Sequence, residues 1–571
     1  MKRATYLLIV LSILLSMVAV GCGGTPTPEP PKPTVAPPPP SAATATPAQA
    51  APTKPAAEPT KAAPEPTKPA AAVTRPLLVA VKTETVSLDP HQNDYDYSQK
   101  AQHGSYESLL NYVVKDGKVD VGPGLAASYK TDDAKVWTLT LQKGVKFMDG
   151  SPFNAEAVKY NFDRVRGMKQ APASRLPAID SVEAVDEGTV RITLKNAYPV
   201  FSENLTKLFM VSPTAAKAHV AADDPWGNKW MFDNAVGTGP YKVESWVKGQ
   251  TVTLLKNADY WGGWKGNHIE KIILRFVKEA ATRRLLLESG DVDIAEGVSF
   301  DDLDALSKVK GVVVKGYEQP SMVTMMLRLK GPLKDAKVRK AIQLAFSYDD
   351  FIKGVLSGRA LYAQSPLPSP VWAFDKSLPA MKQDLATAKK LMAEAGFPTG
   401  GFSLQIATIS PYGWFQPREA QILQANLKEL GITATIQDFP DAAAYYAAIG
   451  TADKGPDIYA WSFNNSFNDP EDNFRRMFYS TMTPDKGGIN YIRYSNPKVD
   501  ALIDKGLTMS KREDRFPVYQ ELQKILMDDA VAIFAAQPQF FMTTRDSLQG
   551  YVWNPFSINN SYEWYDLWLS K

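Results

Sequence analysis

The sequence predicts a mixed α/β protein of more than one folding unit, carried behind an apolar leader and a proline-rich spacer. Three observations lead there. The chain has 571 residues, more than one hydrophobic core normally organises. From Pro76 onward, short strand-like segments interleave with capped amphipathic helices, a pattern of α/β or α+β lobes and not of a bundle or a sandwich. Residues 25–75 are almost wholly Pro, Thr, Ala, Lys and Glu, so they cannot bury enough surface to offset chain entropy.

Composition narrows the function classes. With 64 basic and 61 acidic residues the net charge is +3, which gives no electrostatic reason for a nucleic-acid partner, and none is expected. A hydrophobic share of 44% with 11% aromatics suits a soluble protein with large cores. The single cysteine, Cys22, rules out a disulfide within the chain and any thiolate metal cage. His91, His103, His219 and His268 lack metal-ligand spacing, so no metal site and no cofactor is expected.

The elements follow in chain order. Met1-Lys2-Arg3 is a positive n-region, and Ala4 to Val20 is an apolar run of signal-peptide length, short for a membrane span. The run ends Ala19-Val20-Gly21-Cys22, which resembles a bacterial lipobox, with Ala where Leu is commoner. The expectation is cleavage after residue 21 and lipidation of Cys22; two or more acyl chains at roughly 0.8 kcal/mol per buried CH₂ would anchor the chain stably. Residues 22–75 then form a tether, semi-rigid through proline, spanning up to ~150 Å extended or roughly 40 Å as a coil.

Leu77–Val81, Trp137–Leu141, Val190–Leu194, Thr251–Leu255 and Ile269–Val277 read as strands. Asn154 is placed to cap a helix carrying Val158, Phe162 and Val165 on one face. Asp335 caps another, with Val338, Ile342 and Phe346 at i, i+4, i+8. Asp384 starts a helix ended by Gly396, and Glu419 to Leu430 is a helix ended by Gly431. Gly237-Thr238-Gly239-Pro240 lacks phosphate-loop spacing, and its proline removes a donor, so it reads as a turn into a strand.

No G-x-S-x-G, H-E-x-x-H or Cys–His arrangement is present. The acid pairs Asp223-Asp224, Asp301-Asp302 and Asp349-Asp350 are adjacent in sequence only, two of them near helix starts where acids favour the dipole. No catalytic residue is assigned, and an enzyme is not expected.

A set of motifs in order resembles the extracellular solute-binding proteins of family 5, the peptide, nickel and oligosaccharide receptors of ABC importers. They are Ser87-Leu88-Asp89-Pro90, Tyr106-Glu107-Ser108-Leu109, and Gly124-Leu125-Ala126 through Gly144-Val145-Lys146-Phe147-Met148-Asp149-Gly150. They continue with Gly237-Thr238-Gly239-Pro240-Tyr241, Asn257-Ala258-Asp259-Tyr260-Trp261, Ser289-Gly290-Asp291-Val292-Asp293-Ile294, Val338-Arg339-Lys340-Ala341-Ile342 and Tyr494-Ser495-Asn496-Pro497.

The resemblance implies a periplasmic-binding-protein-like type II fold, two lobes with a hinge and an inserted subdomain. One lobe would comprise 76–315 plus 540–571, with an insert at about 113–235, and the other 316–539. It further implies a monomer, exported and lipid-anchored on the outer side of the cytoplasmic membrane. Such a receptor captures a small-molecule or oligopeptide ligand and delivers it to an ABC permease and ATPase complex.

Two stretches correspond to the family's ligand-contacting positions and nominate Tyr412, Trp414, Trp461, Phe463, Asn464, Asn465 and Asp469. Peptide-binding members place an Asp three residues after the Trp to pair with the ligand ammonium; here that residue is Asn464. Dipeptide-type members place an Arg before the Pro-Tyr pair; here it is Ser410. Asp469 is the alternative source of charge. An unpaired buried ammonium costs several kcal/mol, so the substitutions point to a neutral polar ligand, a longer peptide or an oligosaccharide, with little response to dipeptides. A hydrolase, a nickel or haem carrier and a signalling receptor are the rival readings.

Overall fold

The computed structural model describes residues 75–571 apart from 94–95, 411–414 and 558–561. Leu77–Val81 is apolar throughout and almost wholly buried, as a strand covered on both faces must be. It pairs in parallel with Lys271–Phe276 on one side and Ile294–Ala295 on the other. Thr251–Lys256 and Tyr241–Val247 extend that edge antiparallel. On the other side lies the fourteen-residue strand Ala532–Arg545, whose second half pairs with Val312–Glu318 and whose first half pairs with Ser321–Leu327. Ile458–Asn464, Ser403–Ile409 and Thr433–Phe439 complete a mixed sheet of twelve described strands.

Within that sheet the chain changes partners at two dipeptides. Gln319-Pro320 separates Val312–Glu318 from Ser321–Leu327, and at Gln537-Pro538 the long strand meets the short strand Ala360–Leu361. Proline lacks the N–H a continuous ladder needs, so both breaks are written into the sequence. The Gln537 side chain ties them together by donating to the Gln319 carbonyl at 3.1 Å.

The apolar residues gather into separate cores around this frame. One joins Met322 to Ala536. A second joins Leu77, Leu254 and Ile272 with Met542 and Trp564 near the C-terminus. A third, from Leu109 to Met210, lies beside a four-stranded antiparallel sheet of Ala126–Lys130, Val136–Leu141, Thr189–Leu194 and Ile179–Asp186. Helix Ala155–Met168 buries Val158, Phe162 and Val165 in that core, and Asn154 caps it by accepting from the Ala157 amide. Burying each such side chain contributes about 1.5–3 kcal/mol.

The other predicted caps hold. Asp335 accepts from the Lys337 amide ahead of Ala336–Ala345, and Asp384 accepts from Thr387 ahead of Leu385–Glu394. Gly396 and Gly431 take φ of +85° and +72° past their helices, the left-handed conformation that glycine adopts without strain. Two boundaries differ. The helix expected from Glu419 begins at Gln416, because Pro417 in its first turn has no N–H to leave unsatisfied. Phe346 lies just past its helix in extended backbone, yet is fully buried. Among the described residues, no helix is long and apolar enough to cross a membrane; the leader, Cys22 and nearly all of the tether lie outside them.

Candidate functional site

The motifs that carry the family resemblance form scaffold around a cleft. Asp89 is fully buried and receives a two-pronged guanidinium from Arg164 at 2.9 and 2.6 Å, while also accepting from the His91 amide. His91 is locked between two partners: Arg164 can only donate to Nδ1, at 2.9 Å, and the Phe209 carbonyl can only accept from Nε2, at 2.8 Å. This fixes the neutral Nε2–H tautomer. Burial, then the Arg164 charge, lowers the His91 pKa to about 4. Pro90, between Asp89 and His91, is thereby presented on the cleft wall.

Glu107 is a second knot. It accepts from Thr238 at 2.7 Å, Tyr260 at 2.8 Å and Trp261 at 2.7 Å, joining three motifs far apart in sequence. Burial nonetheless pushes its carboxyl up to about 6. The turn at Gly237 and Gly239 packs directly on backbone: a Cβ on Gly237 would lie 2.1 Å from the Ser105 oxygen. The acid pairs serve structural contacts, Asp224 accepting from the Asn228 and Lys229 amides, Asp350 from Ser347, and the Asp301-Asp302 pair from Ser357 and Arg284.

The cleft cavity measures about 410 Å³. Its lining includes Pro90, Asn93, Gln99, Gln102 and Phe209 together with Ser321, Ser462, Asn464 and Ser466. Both sheet breaks contribute, through Gln319-Pro320 and Pro538. Amides and hydroxyls dominate the polar lining. Lys82 and Lys207 bring the charges, and among the described lining residues there is no carboxylate. Lys207 also lies over the Tyr112 ring.

A second cavity of about 830 Å³ adjoins the first, since Leu176 and Asn204 line both. Its character is different, with Glu471, Asp472, Arg475 and Arg476 on its wall. Arg475 donates to Glu471 at 2.6 Å and to Asp504 at 2.9 Å. Burial raises the Glu471 carboxyl to about 8, with Arg475 pulling it the other way.

The nominated residues separate on this geometry. Asn464 is exposed and lines the main cleft. Asn465 lines it as well, but its amide is committed to the Asp469 carbonyl and to Asn473. Trp461 lines a smaller side pocket with Tyr445 and Tyr446. Phe463 sits opposite Met322 in the core, 7% exposed. The Asp469 carboxylate is held by Arg515 at 2.6 and 2.8 Å and is not among the residues lining either cleft cavity. Tyr412 and Trp414 lie outside the described residues. Lys82, Gln102 and Phe209 were not singled out from sequence, because they come from segments with no local signal that they share a cavity; Ser462 lies within the nominated stretch 461–465 but is not itself nominated.

The model of bacterial extracellular solute-binding proteins, family 5 Middle, matches residues 120–485. The chain belongs to this family. It is therefore a substrate-binding protein of the ABC-transporter class and not an enzyme. It is 32% identical over 498 residues to the "Probable D,D-dipeptide-binding periplasmic protein DdpA" of Escherichia coli, covering 85% of this chain and 93% of that one. It is 30% identical over 493 residues to the glutathione-binding protein GsiB of Pectobacterium atrosepticum, covering 84% and 92%. Its fold matches the ABC transporter-associated periplasmic binding protein DppA of Helicobacter pylori, solved in complex with the peptide STSA. The TM-score is 0.71 and the identity 26%, over 87% of this chain and 98% of the other.

Proposed function

We propose that this family 5 protein captures a peptide-class solute in the cleft and hands it to the permease and ATPase of an ABC importer. In this reading it acts as a monomer tethered to the outer face of the cytoplasmic membrane by lipid on Cys22. Residues 76–315 with 540–571 act as one lobe and 316–539 as the other. They close about Gln319-Pro320 and Gln537-Pro538, the breaks at which a change of φ and ψ disturbs least ladder.

The observation that carries the reading is the lining: Asn93, Gln99, Gln102, Gln319 and Asn464 face one cavity together with serine hydroxyls. An amide offers a donor and an acceptor together, which matches the alternating N–H and C=O of a peptide backbone. The ligand is then held along its length, with no reliance on one clamp at its ammonium. The adjoining larger cavity leaves room for a solute longer than two residues, and the ligands named for DdpA and GsiB are both of peptide class.

The same amides suit sugar hydroxyls, so the test sets oligosaccharides beside peptides. In a thermal-shift screen, a ligand at 100 times Kd stabilises by about 2.7 kcal/mol. Tri- to pentapeptides are expected to give the largest shifts and dipeptides small ones; a shift confined to oligosaccharides overturns the peptide reading. Anchoring is tested separately, as Cys22→Ser should abolish incorporation of labelled fatty acid into the protein.

A further inference from the structure

The charges on the main cleft are of one sign. Lys82 and Lys207 line it, and among the described lining residues no carboxylate stands against them. The chain's 64 basic and 61 acidic residues leave a net charge of only +3, so the bias is local. A cleft lined by one sign of charge, with low-dielectric walls, concentrates solutes of the other sign.

The two lysines differ in what the protein already does with them. Lys207 donates to the Phe556 carbonyl at 2.5 Å and lies 5.1 Å from the centre of the Tyr112 ring. Its charge also acts on the buried Glu203, which Arg512 holds at 3.0 Å. Lys82 is exposed, and among the described residues none accepts a hydrogen bond from its ammonium or pairs with it.

Lys82 also stands where an α/β sheet receives ligands. It follows Leu77–Val81, whose neighbours Lys271–Phe276 and Ile294–Ala295 both run parallel to it. In such sheets ligands bind in the crevice outside the carboxyl ends of the strands. At that same end Ile294–Ala295 runs on into Glu296 and Gly297. Glu296 is committed elsewhere, accepting from Tyr562 at 3.0 Å and lying 3.6 Å from Lys100. Gly297 leaves the lysine stem its place, since a Cβ there would lie 3.3 Å from Lys82 Cδ. The stem thus rests against backbone while the residue stays open to solvent, as long cationic side chains do.

We propose that Lys82 is the anion-recognising residue of the cleft and takes a carboxylate of the solute, with Lys207 adding to the positive field. The proposal rests on the peptide-class reading and gives it a direction: the C-terminus of the solute is read, and its N-terminus is not.

The probes are tetra-alanine and tetra-alanine amide, each with a free and with an acetylated N-terminus, titrated calorimetrically into the full chain. The acid is expected to bind about tenfold tighter than the amide, a difference of about 1.4 kcal/mol, whether or not the N-terminus is acetylated. Lys82→Gln should abolish that preference and leave binding of the amide unchanged. Lys82→Arg, which keeps the charge, should retain it. Equal affinities for acid and amide, or a preference that survives Lys82→Gln, overturn the proposal.

If no tetra-alanine ligand binds, the peptide reading falls on its own, and Lys82 is read directly with propionate against propionamide. The readout is the ¹³C methyl resonance of dimethylated Lys82, a modification that keeps the charge, assigned by its loss in Lys82→Arg. A saturable shift with propionate alone upholds the carboxylate site. No shift, or an equal one with propionamide, overturns it.

Discussion

Removing the Asp469 carboxylate separates a structural role from a ligand-binding one. In the structure Asp469 and Arg515 are each 3% exposed and joined by bonds of 2.6 and 2.8 Å. Asp469 also accepts from the Glu471 amide at 3.0 Å, at the start of helix Glu471–Phe478. Arg515 further donates to Tyr519 at 2.9 Å and lies 5.3 Å from the Trp372 ring centre. Asp469→Ala leaves that guanidinium buried with one hydroxyl and two ring faces for company. Breaking a buried pair from one side costs about 3–5 kcal/mol. At 2–4 °C per kcal/mol for a unit of this size, the midpoint of thermal unfolding should fall by about 10 °C. The double variant Asp469→Leu, Arg515→Met removes both charges and should recover most of the loss. Thermal unfolding of the wild type and the two variants checks this, and calorimetry with a free-amine dipeptide runs in parallel. A variant Asp469→Ala with an unchanged midpoint and lost dipeptide binding would refute the reasoning, because the carboxylate would then be serving the ligand and not Arg515.

Three further outcomes follow from the same geometry. Asn464→Asp places a carboxylate on the cleft wall at an exposed position; stability should hold, while a free dipeptide such as Ala-Ala gains about tenfold in affinity by calorimetry. No gain means that Asn464 does not face a ligand ammonium. Burial lowers the His91 pKa to about 4 from the 6.5 of a free imidazole, so between those values the unfolded chain binds more protons and stability falls as pH falls. Relative to His91→Gln, the wild type should lose about 3 kcal/mol from pH 6.5 to 4 in urea unfolding; parallel curves would contradict the buried neutral imidazole. Gly237→Ala drives a methyl into the Ser105 carbonyl and should cost about 1–3 kcal/mol in unfolding assays, whereas an unchanged midpoint would argue against a packed turn.

What was legible in the sequence was mostly local. Asn154, Asp335 and Asp384 could be read as caps because a cap satisfies an amide two or three residues away, and each does so in the structure. The strand Leu77–Val81 was readable because its burial on both faces requires an unbroken apolar run. Asp469 was not readable in the same way. Its partner Arg515 lies 46 residues further on, in helix Arg512–Asp528, and nothing near residue 469 distinguishes a carboxylate held by the protein from one offered to a ligand. The motif residues Asp89 and Glu107 stood out by pattern, yet the structure spends them on holding segments together.

That division explains why the family is easier to recover than the cargo. Scaffold residues such as Asp89, Arg164, Glu107 and Trp261 are mutually committed, so changing one leaves another buried and unpaired at a cost of several kcal/mol. Cleft residues such as Ser462 and Asn464 are exposed on a strand whose ladder to Ser321–Leu327 does not depend on their side chains. They can change with little effect on stability, and one substitution there alters what the wall can bind. On the proposed reading, specificity is written in the residues that folding constrains least.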